Sequence, residues 1–258
     1  MKRFVLFFSV CLFMASCMTF NVQAQDSEDP GMILLFEEFV APADFAQFWQ
    51  VQQEAFDLFD ELDLNMTIWA FQTDESSFYW AMPIKNFGGI DEIYNKMMKS
   101  HQLMKEKGFD SNMKVRNLSN MSQSVVRWNR ELSHHPVEAG ADEEGKFHEW
   151  TFMHLKSGHE KECAAAVQKY IDFYNSINSD YAWDIYEVVF GEHTPCWILE
   201  VQAENEVALR EMESELMTEY REDLQKLWQN MVQHINSMET KKGWYLSDWS
   251  NWSWSGGE

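Results

Sequence analysis

Basic residues are scarce in this chain. Its 258 residues include 20 lysines and arginines against 42 aspartates and glutamates, which gives a formal net charge of −22. A surface with this balance repels phosphate backbones, so nucleic acid is excluded as a partner, and anionic membrane surfaces are disfavoured for the same reason. We expect an acidic, well-solvated exterior.

Motifs for several kinds of chemistry are also missing. The sequence contains no Cys-x-x-Cys, His-x-His or His-Glu-x-x-His element, so no metal site is predicted. It contains no Gly-x-Ser-x-Gly element either, which leaves nucleophilic catalysis without support. We expect the Gly88-Gly89 pair to form a turn and not a phosphate-binding loop.

Long apolar runs are confined to the N-terminus. Lys2 and Arg3 precede the apolar segment 4–15, and Val22-Gln23-Ala24 resembles a signal-peptidase cleavage site. This order is typical of a bacterial secretory signal peptide, and the apolar segment is shorter than the about 20 residues that a membrane span needs. We therefore expect an exported protein, periplasmic or secreted, without a membrane span.

Two routes of processing are open. Cleavage after Ala24 would release a soluble protein. Alternatively, Met14-Ala15-Ser16-Cys17 resembles a bacterial lipobox, in which Cys17 is lipidated and anchors the chain as a membrane lipoprotein.

Cysteine is rare, with four residues in the whole chain, and two of them, Cys11 and Cys17, lie in the leader. Cys163 and Cys196 remain in the mature part. Export to an oxidising compartment permits a disulfide between them, and a pair of buried free thiols is the alternative.

The most informative feature that is present is an internal repeat. Residues 66–71 are echoed by residues 183–188, at an offset of 117, and the same offset places 78–82 on 195–199. At an offset of 115, the apolar positions of a helix over 48–62 recur over 163–177. Self-similarity at a fixed spacing indicates duplicated structural units.

Apolar periodicity predicts the order β-α-β-β-α-β twice, which is the ferredoxin-like motif. The expected third strand covers 78–82 and is ended by Pro83, the fourth covers 124–132 and the last covers 243–248. The expected divisions are a signal peptide at 1–24, a mobile lead-in at 25–31, one unit at 32–132, a linker at 133–146, a second unit at 147–248 and a Trp-rich tail at 249–258.

The strands of both units carry apolar residues at both alternating positions, so both sheet faces must be covered. Helices cover one face of each sheet. The economical solution is that the two bare faces pack together, which predicts an α+β fold with two antiparallel sheets face to face in one chain, a pseudo-dimeric α/β barrel.

This arrangement resembles the dimeric α/β-barrel superfamily in a tandem, single-chain form. Its members include antibiotic-biosynthesis-type monooxygenases, NIPSNAP-like proteins and chlorite-dismutase-type haem enzymes. Residues 156–160, which follow an aromatic strand, are similar to the opening of NIPSNAP-like domains, and residues 186–191 are similar to their second strand and turn.

The resemblance also bears on cofactors. Haem-degrading members use an Asn on the first strand and a Trp on the third, a place that Trp80 or Trp197 could take. Neither first strand offers an Asn, because Glu37 and Glu38 stand in one and Glu149 and Thr151 in the other. No cofactor is therefore predicted, and haem is the alternative.

Several strand residues are candidates for chemistry. A carboxylate in an apolar cavity has a raised pKa and serves as a general acid or base, which cofactor-free monooxygenases need. Glu37 and Glu187 are preferred because their alternate neighbours are apolar, and His154 is a further candidate. The full set of strand carboxylates considered is Glu37, Glu38, Glu149, Asp184, Glu187 and Glu200. An edge position, open to water, is the alternative for each acid. Alternation places His148 on the same face as His154, too far along the strand to share a metal.

The aromatic residues suggest a ligand cavity, since such barrels enclose space that suits flat hydrophobic molecules. The candidates on strands are Trp69, Trp80, Trp183, Tyr186 and Trp197. We expect an exported protein, monomeric or homodimeric, that binds a small hydrophobic or aromatic ligand. The alternatives are a cofactor-free monooxygenase or haem-dependent enzyme, and a non-catalytic interaction scaffold; whether the protein is an enzyme stays open.

Overall fold

A computed structural model describes residues 31–136, 147–191 and 194–250. The expected signal peptide with Cys17, most of the expected linker and the last eight residues of the expected tail lie outside the described residues. Within those ranges, no helix is long and apolar enough to cross a membrane.

The two halves of the described chain have the same order of elements. The first half contains β1 (Met32–Val40), α1 (Phe45–Glu61), β2 (Trp69–Thr73), β3 (Ser77–Ile84), α2 (Gly89–Glu106), α3 (Ser111–Val115) and β4 (Ser119–Trp128). The second half contains β5 (Phe147–Leu155), α4 (Glu160–Ser176), β6 (Asp184–Phe190), β7 (Cys196–Ala203), α5 (Glu206–Glu219), α6 (Arg221–Val232) and β8 (Ile235–Tyr245).

The eight strands form one closed antiparallel barrel in the order β1-β3-β2-β8-β5-β7-β6-β4. Strands of each half are contiguous in this ring. The two junctions between halves are β2 with β8, which pairs three residues from Phe71 opposite Tyr245, and β4 with β6, which contains a register shift after Val125. The α+β class and the α/β barrel expected from the sequence are thus present, with the sheets joined edge to edge into a ring.

Strand alternation sorts the apolar side chains into two layers. In β1, Leu34 and Phe36 point outward and pack in a core with α1 and α2, whereas Ile33 and Leu35 point into the barrel. A second outer core lies under α4, α5 and α6 around Cys163. The apolar residues at both strand positions are explained because one set meets the helices and the other lines the interior.

The start of the expected Trp-rich tail belongs to the first outer core. Trp249, in a short 3-10 helix at Ser247–Trp249, is 2% exposed. Its ring lies 4.3 Å from that of Trp49 and stacks on Phe56 and Trp80. Trp249 therefore seals the space between α1 and β3.

Three expected strand bounds are corrected. The third strand continues through Pro83, which lies opposite Ile33, to Ile84. The fourth begins at Ser119 and ends at Trp128. The last strand begins at Ile235, because its polar and largely exposed first half pairs with β5 through backbone hydrogen bonds that no apolar pattern marks.

The first described residues of the expected linker are also part of the fold. His134 is 4% exposed and forms a β-bridge with Trp183. Its Nδ1 lies 2.8 Å from the carbonyl oxygen of Tyr181, and its ring stacks on Trp183.

Cys163 and Cys196 are buried free thiols, which is the second of the two alternatives considered for them. Burial raises the pKa of Cys163 to about 11. It raises that of Cys196 to about 12, with a further contribution from the charge of Glu239. Both thiols are consequently protonated at neutral pH.

Candidate ligand-binding site

The barrel interior contains a cavity of about 230 Å³ that is partly open to solvent, and all eight strands contribute to its wall. Apolar and aromatic side chains form most of its wall. The lining residues are Ile33, Leu35, Trp69, Phe71, Tyr79, Ala81, Val126, His148, Trp150, Phe152, Tyr186, Ile198, Glu200, Gln202 and Tyr245.

Trp150 organises the aromatic wall. The rings of Phe71 and Tyr79 meet it edge-on, each with its centroid 5.4 Å away, and the imidazole of His148 stacks on it at 5.5 Å. Edge-on and offset contacts are the favourable geometries for aromatic pairs. The aromatic side chains of the wall therefore pack against one another without needing a ligand between them.

A polar cluster interrupts this wall at Glu200, whose side chain is buried. Its Oε1 accepts hydrogen bonds from Nδ1 of His148 and from Nε1 of Trp150, both at 2.8 Å. The hydroxyl of Tyr186 donates a third. Burial alone would raise the pKa of Glu200, but its hydrogen-bond donors and the electrostatic effect of the neighbouring His148 outweigh burial and hold the pKa below its ordinary value. Glu200 is thus a carboxylate inside an apolar barrel.

His148 is 4% exposed, and its two nitrogen atoms differ in their surroundings. Nδ1 is engaged by Glu200. Nε2 is buried and has no hydrogen-bond partner among the described residues. The ring of Phe71 stands edge-on to the imidazole, with centroids 4.8 Å apart. Buried polar atoms in folded proteins are nearly always hydrogen-bonded, so this nitrogen atom is an exception.

A second charged cluster lies beside Tyr79, in another part of the barrel interior. Glu37 accepts hydrogen bonds from the Tyr79 hydroxyl at 3.0 Å and from Nζ of Lys241 at 2.6 Å. Lys241 is 7% exposed, and burial would lower its pKa, but the hydrogen bond and charge of Glu37, with Glu239 and Glu75, raise it overall. The lysine is cationic and Glu37 neutralises it, so Glu37 is no free base.

The structure brings together only some of the residues proposed from the sequence. Trp69 and Tyr186 line the cavity. Trp80, Trp183 and Trp197 point outward into the two helix-covered cores. They fill space between sheet and helices and are not part of the cavity wall.

The candidate acid–base residues also lie outside the cavity wall. Glu187 pairs with Arg127 at 2.5 Å and accepts a hydrogen bond from Asn129 at 2.7 Å. His154 is opposite Cys196 in the ladder with β7 and does not line the cavity.

Of the central residues of the site, Glu200 was among the strand carboxylates considered from the sequence but was not one of the two preferred, and His148 and Trp150 were not proposed as site residues. Strand alternation does place His148, Trp150 and Phe152 on one face of β5, and all three line the cavity. The pairing of Trp150 with Glu200 across the ladder of β5 and β7 could not be predicted from the sequence, because it joins residues 50 positions apart.

The donor set does not form a metal centre. Among the described residues, no group of three or more histidine, cysteine, aspartate or glutamate side chains is placed to hold a metal ion. The polar atoms of the cavity are suited to hydrogen bonding with an organic molecule.

No family model and no curated protein matches the sequence. Solved structures share the fold. An anthrone oxidase-like protein matches with a TM-score of 0.56 and 9% identity, over 85% of this chain and 93% of its own. A candidate monooxygenase from Lactobacillus acidophilus NCFM matches at 0.52 and 10%, over 83% and 94%. A chlorite dismutase variant from Candidatus Nitrospira defluvii matches at 0.50 and 9%, over 85% and 93%.

These likenesses define the class of protein by its fold. The chain has the dimeric α/β-barrel fold, and the whole barrel is closed by one polypeptide. At such low identity the likeness concerns architecture alone, and function has to be argued from the cavity.

A haem group does not fit this cavity as it stands. Its volume, about 230 Å³, is below the roughly 300–1,000 Å³ of pockets for drug-sized ligands, and haem is larger than most of those ligands. His148 is the one histidine among the described lining residues, and its buried Nε2 adjoins the ring of Phe71, which leaves no room there for a porphyrin of this size. No step through haem is derived for this chain.

Proposed function

We propose that the protein binds a small, flat, mostly apolar molecule inside its barrel. A cavity of about 150 Å³ is large enough for benzene, so the 230 Å³ here suits a molecule of one or two rings. The aromatic wall around Trp150 offers faces and edges against which such rings pack.

The observation that carries this proposal is the polar cluster of Glu200, His148, Trp150 and Tyr186 within an otherwise apolar wall. Ligand sites combine an apolar lining with a few polar groups that fix orientation. A barrel interior filled only for stability could use apolar side chains of similar volume in place of a buried carboxylate, whose desolvation is costly.

Filling the cavity tests the proposal. Ala81 lines it and is 6% exposed, so Ala81→Phe places a ring in the space, with Ala81→Leu as a smaller change. Titration calorimetry with indole, naphthalene and 4-nitroanisole is expected to show binding to the wild type and at least tenfold weaker binding to both variants. Ala43→Phe, at an exposed turn position, is the matched control.

Thermal melting establishes that each variant is folded. Binding that survives in a folded Ala81→Phe protein, or no binding of any probe to the wild type at millimolar concentration, would contradict the proposal.

A second candidate function is oxidation of the bound molecule by dioxygen without a cofactor. Its support is the fold shared with an anthrone oxidase-like protein and a candidate monooxygenase, together with the buried imidazole of His148. Oxidation of an anthrone CH₂ to a carbonyl consumes one dioxygen and releases one water, so no other reductant is needed. Oxygen uptake with anthrone as substrate tests this, and uptake equal to that of a His148→Phe variant would contradict it.

We also propose that the chain arose by a tandem duplication and that it is exported. The identical order of elements in the two halves supports a tandem duplication of a ferredoxin-like, NIPSNAP-like unit. The composition of residues 1–24 supports export. The mass of the protein recovered from a bacterial host tests the second point, with cleavage before Gln25 and lipidation at Cys17 as distinguishable products. An unprocessed chain in the cytoplasm would contradict export.

A further inference from the structure

We propose that His148 recognises a weakly acidic hydroxyl group, as on a phenol, and accepts its proton at Nε2 while Glu200 holds the imidazole in place. This inference rests on the proposed function, because it names the ligand class that the same cavity takes.

The hydrogen bond between His148 and Glu200 determines where the imidazole can accept a proton. Glu200 accepts from Nδ1 and is ionised, so the neutral imidazole carries its hydrogen atom on Nδ1. The lone pair is then on Nε2. An arrangement in which a carboxylate orients a histidine in this way is a general means of preparing a base.

The surroundings of Nε2 favour a hydroxyl donor. This nitrogen atom is buried without a partner among the described residues, and leaving such an atom unsatisfied costs about 1–3 kcal/mol. A ligand O–H group supplies the missing hydrogen bond. A ligand of the same shape without the hydroxyl leaves the atom unsatisfied, so the site distinguishes the two.

The titratable groups that line the cavity together with His148 are consistent with this role. Glu200 comes from β7, Tyr186 from β6, Tyr79 from β3 and Tyr245 from β8. Burial, reinforced by neighbouring carboxylates, raises the pKa of Tyr186 and of Tyr79, so both stay neutral. Glu200 is therefore the one carboxylate among the described lining residues, and it balances the charge of a protonated His148.

Access to Nε2 requires a movement of the wall. Phe71 stands edge-on to the imidazole and belongs to β2, the strand that joins the second half through only three residue pairs. This junction is the shortest of the barrel ladders. In the proton transfer, the O–H bond of the ligand breaks and an Nε2–H bond forms on His148. The resulting phenolate stays beside the imidazolium.

The test uses two probes of nearly the same shape, 4-nitrophenol and its methyl ether 4-nitroanisole. The wild type is expected to bind the phenol about tenfold more tightly, the equivalent of one buried hydrogen bond of about 1.4 kcal/mol. At a pH where free 4-nitrophenol is protonated, the bound form is expected to show the absorbance of the phenolate.

Three variants separate the roles. His148→Phe is expected to bind both probes equally and to lose the phenolate absorbance. Glu200→Gln, which keeps an acceptor for Nδ1 but no charge, is expected to bind the phenol in its neutral form. His154→Phe, on the same strand but outside the cavity wall, is the control and is expected to behave as the wild type.

The outcomes distinguish this inference from the proposed function. If the wild type binds neither probe, the cavity is not a ligand site and both proposals fail. If it binds both equally, without phenolate absorbance, the proposed function stands and the role of His148 is overturned. Phenolate absorbance that persists in a folded His148→Phe protein would also overturn it.

Discussion

Nδ1 of His148 lies 2.8 Å from Oε1 of Glu200, with 95% of the first side chain and 92% of the second removed from solvent. Trp150, two residues after His148, is the direct ladder partner of Glu200 and donates to the same oxygen atom. Two donors from one strand thus converge on one acceptor from its neighbour. The carboxylate is held on the sheet and not on a loop, which keeps its position fixed.

Replacement of Glu200 by Leu is expected to destabilise the protein by about 3 kcal/mol or more. His148, Trp150 and Tyr186 would each lose an acceptor inside the barrel, and each unsatisfied donor costs about 1–3 kcal/mol. Glu200→Gln retains one acceptor oxygen and is expected to lose less. Urea denaturation measures the free energy of unfolding, and equal stability of the wild type and Glu200→Leu would contradict the assignment.

Because of Glu200, the free energy of unfolding is expected to fall as the pH is lowered into the acidic range. Its pKa in the folded state is below its ordinary value, despite the opposing effect of burial, because of its hydrogen-bond donors. Its stabilising contribution is therefore complete above the unfolded pKa of about 4.3 and is lost as the pH falls through the folded pKa. Urea denaturation between pH 3 and 7, as an approximate range for a carboxyl group, is expected to show a shallower acid limb for Glu200→Gln.

Trp249→Ala is expected to cost about 3–5 kcal/mol, the usual loss for a large buried aromatic residue. The change removes the stack on Phe56 and Trp80 and opens a space beside Trp49. Trp228→Ala is the matched control, because Trp228 is 40% exposed on α6. Similar losses of unfolding free energy in the two variants would show that Trp249 is not a core residue.

Gly243→Ala is expected to disturb the cavity through Trp150. A Cβ atom at this position would lie 2.5 Å from Cζ3 of Trp150 and 2.7 Å from the carbonyl oxygen of Gln72. Overpacking of this kind costs about 1–3 kcal/mol and displaces the indole ring. Gly31→Ala is the control, since its new Cβ atom would come no closer than 3.6 Å to a neighbouring atom. Unchanged stability and unchanged naphthalene binding in Gly243→Ala would contradict the close approach.

Cys163 and Cys196 are expected to react slowly with a disulfide reagent in the folded protein and rapidly after unfolding. Burial raises the pKa of Cys163 to about 11 and, with the charge of Glu239, that of Cys196 to about 12, and only a thiolate reacts. Thiol titration in native buffer and in urea, without reductant, measures this. The absence of free thiol in the unfolded protein would reveal a disulfide.

The sequence correctly predicted that both faces of the sheet are covered, but it did not show which face of each strand meets the helices and which faces the cavity. In β3, Phe78, Trp80 and Met82 alternate with Tyr79 and Ala81, so both faces are apolar. Composition could not tell which face meets the helices. Trp80 was consequently placed in the cavity that Tyr79 lines.

The register of the ladders shows the same limit. Phe36 pairs with Trp80, and Thr151 pairs with Leu199. A shift of two residues leaves an alternating pattern unchanged, and only the hydrogen-bonded ladder determines the register. For the same reason, contacts between neighbouring strands, such as that of His148 with Glu200, could not be predicted from the sequence.

His148 and Trp150 of the polar cluster have no polar counterparts at the equivalent positions of β1. The positions 115 residues before His148 and Trp150 are Ile33 and Leu35, which line the cavity as plain hydrocarbon. An elongated guest with one polar end would therefore find its two head-to-tail orientations unequal in energy. A barrel made of two identical subunits binds such a ligand equally well in both orientations. This barrel is made by a single polypeptide with two different halves, so it can hold the ligand in one preferred orientation.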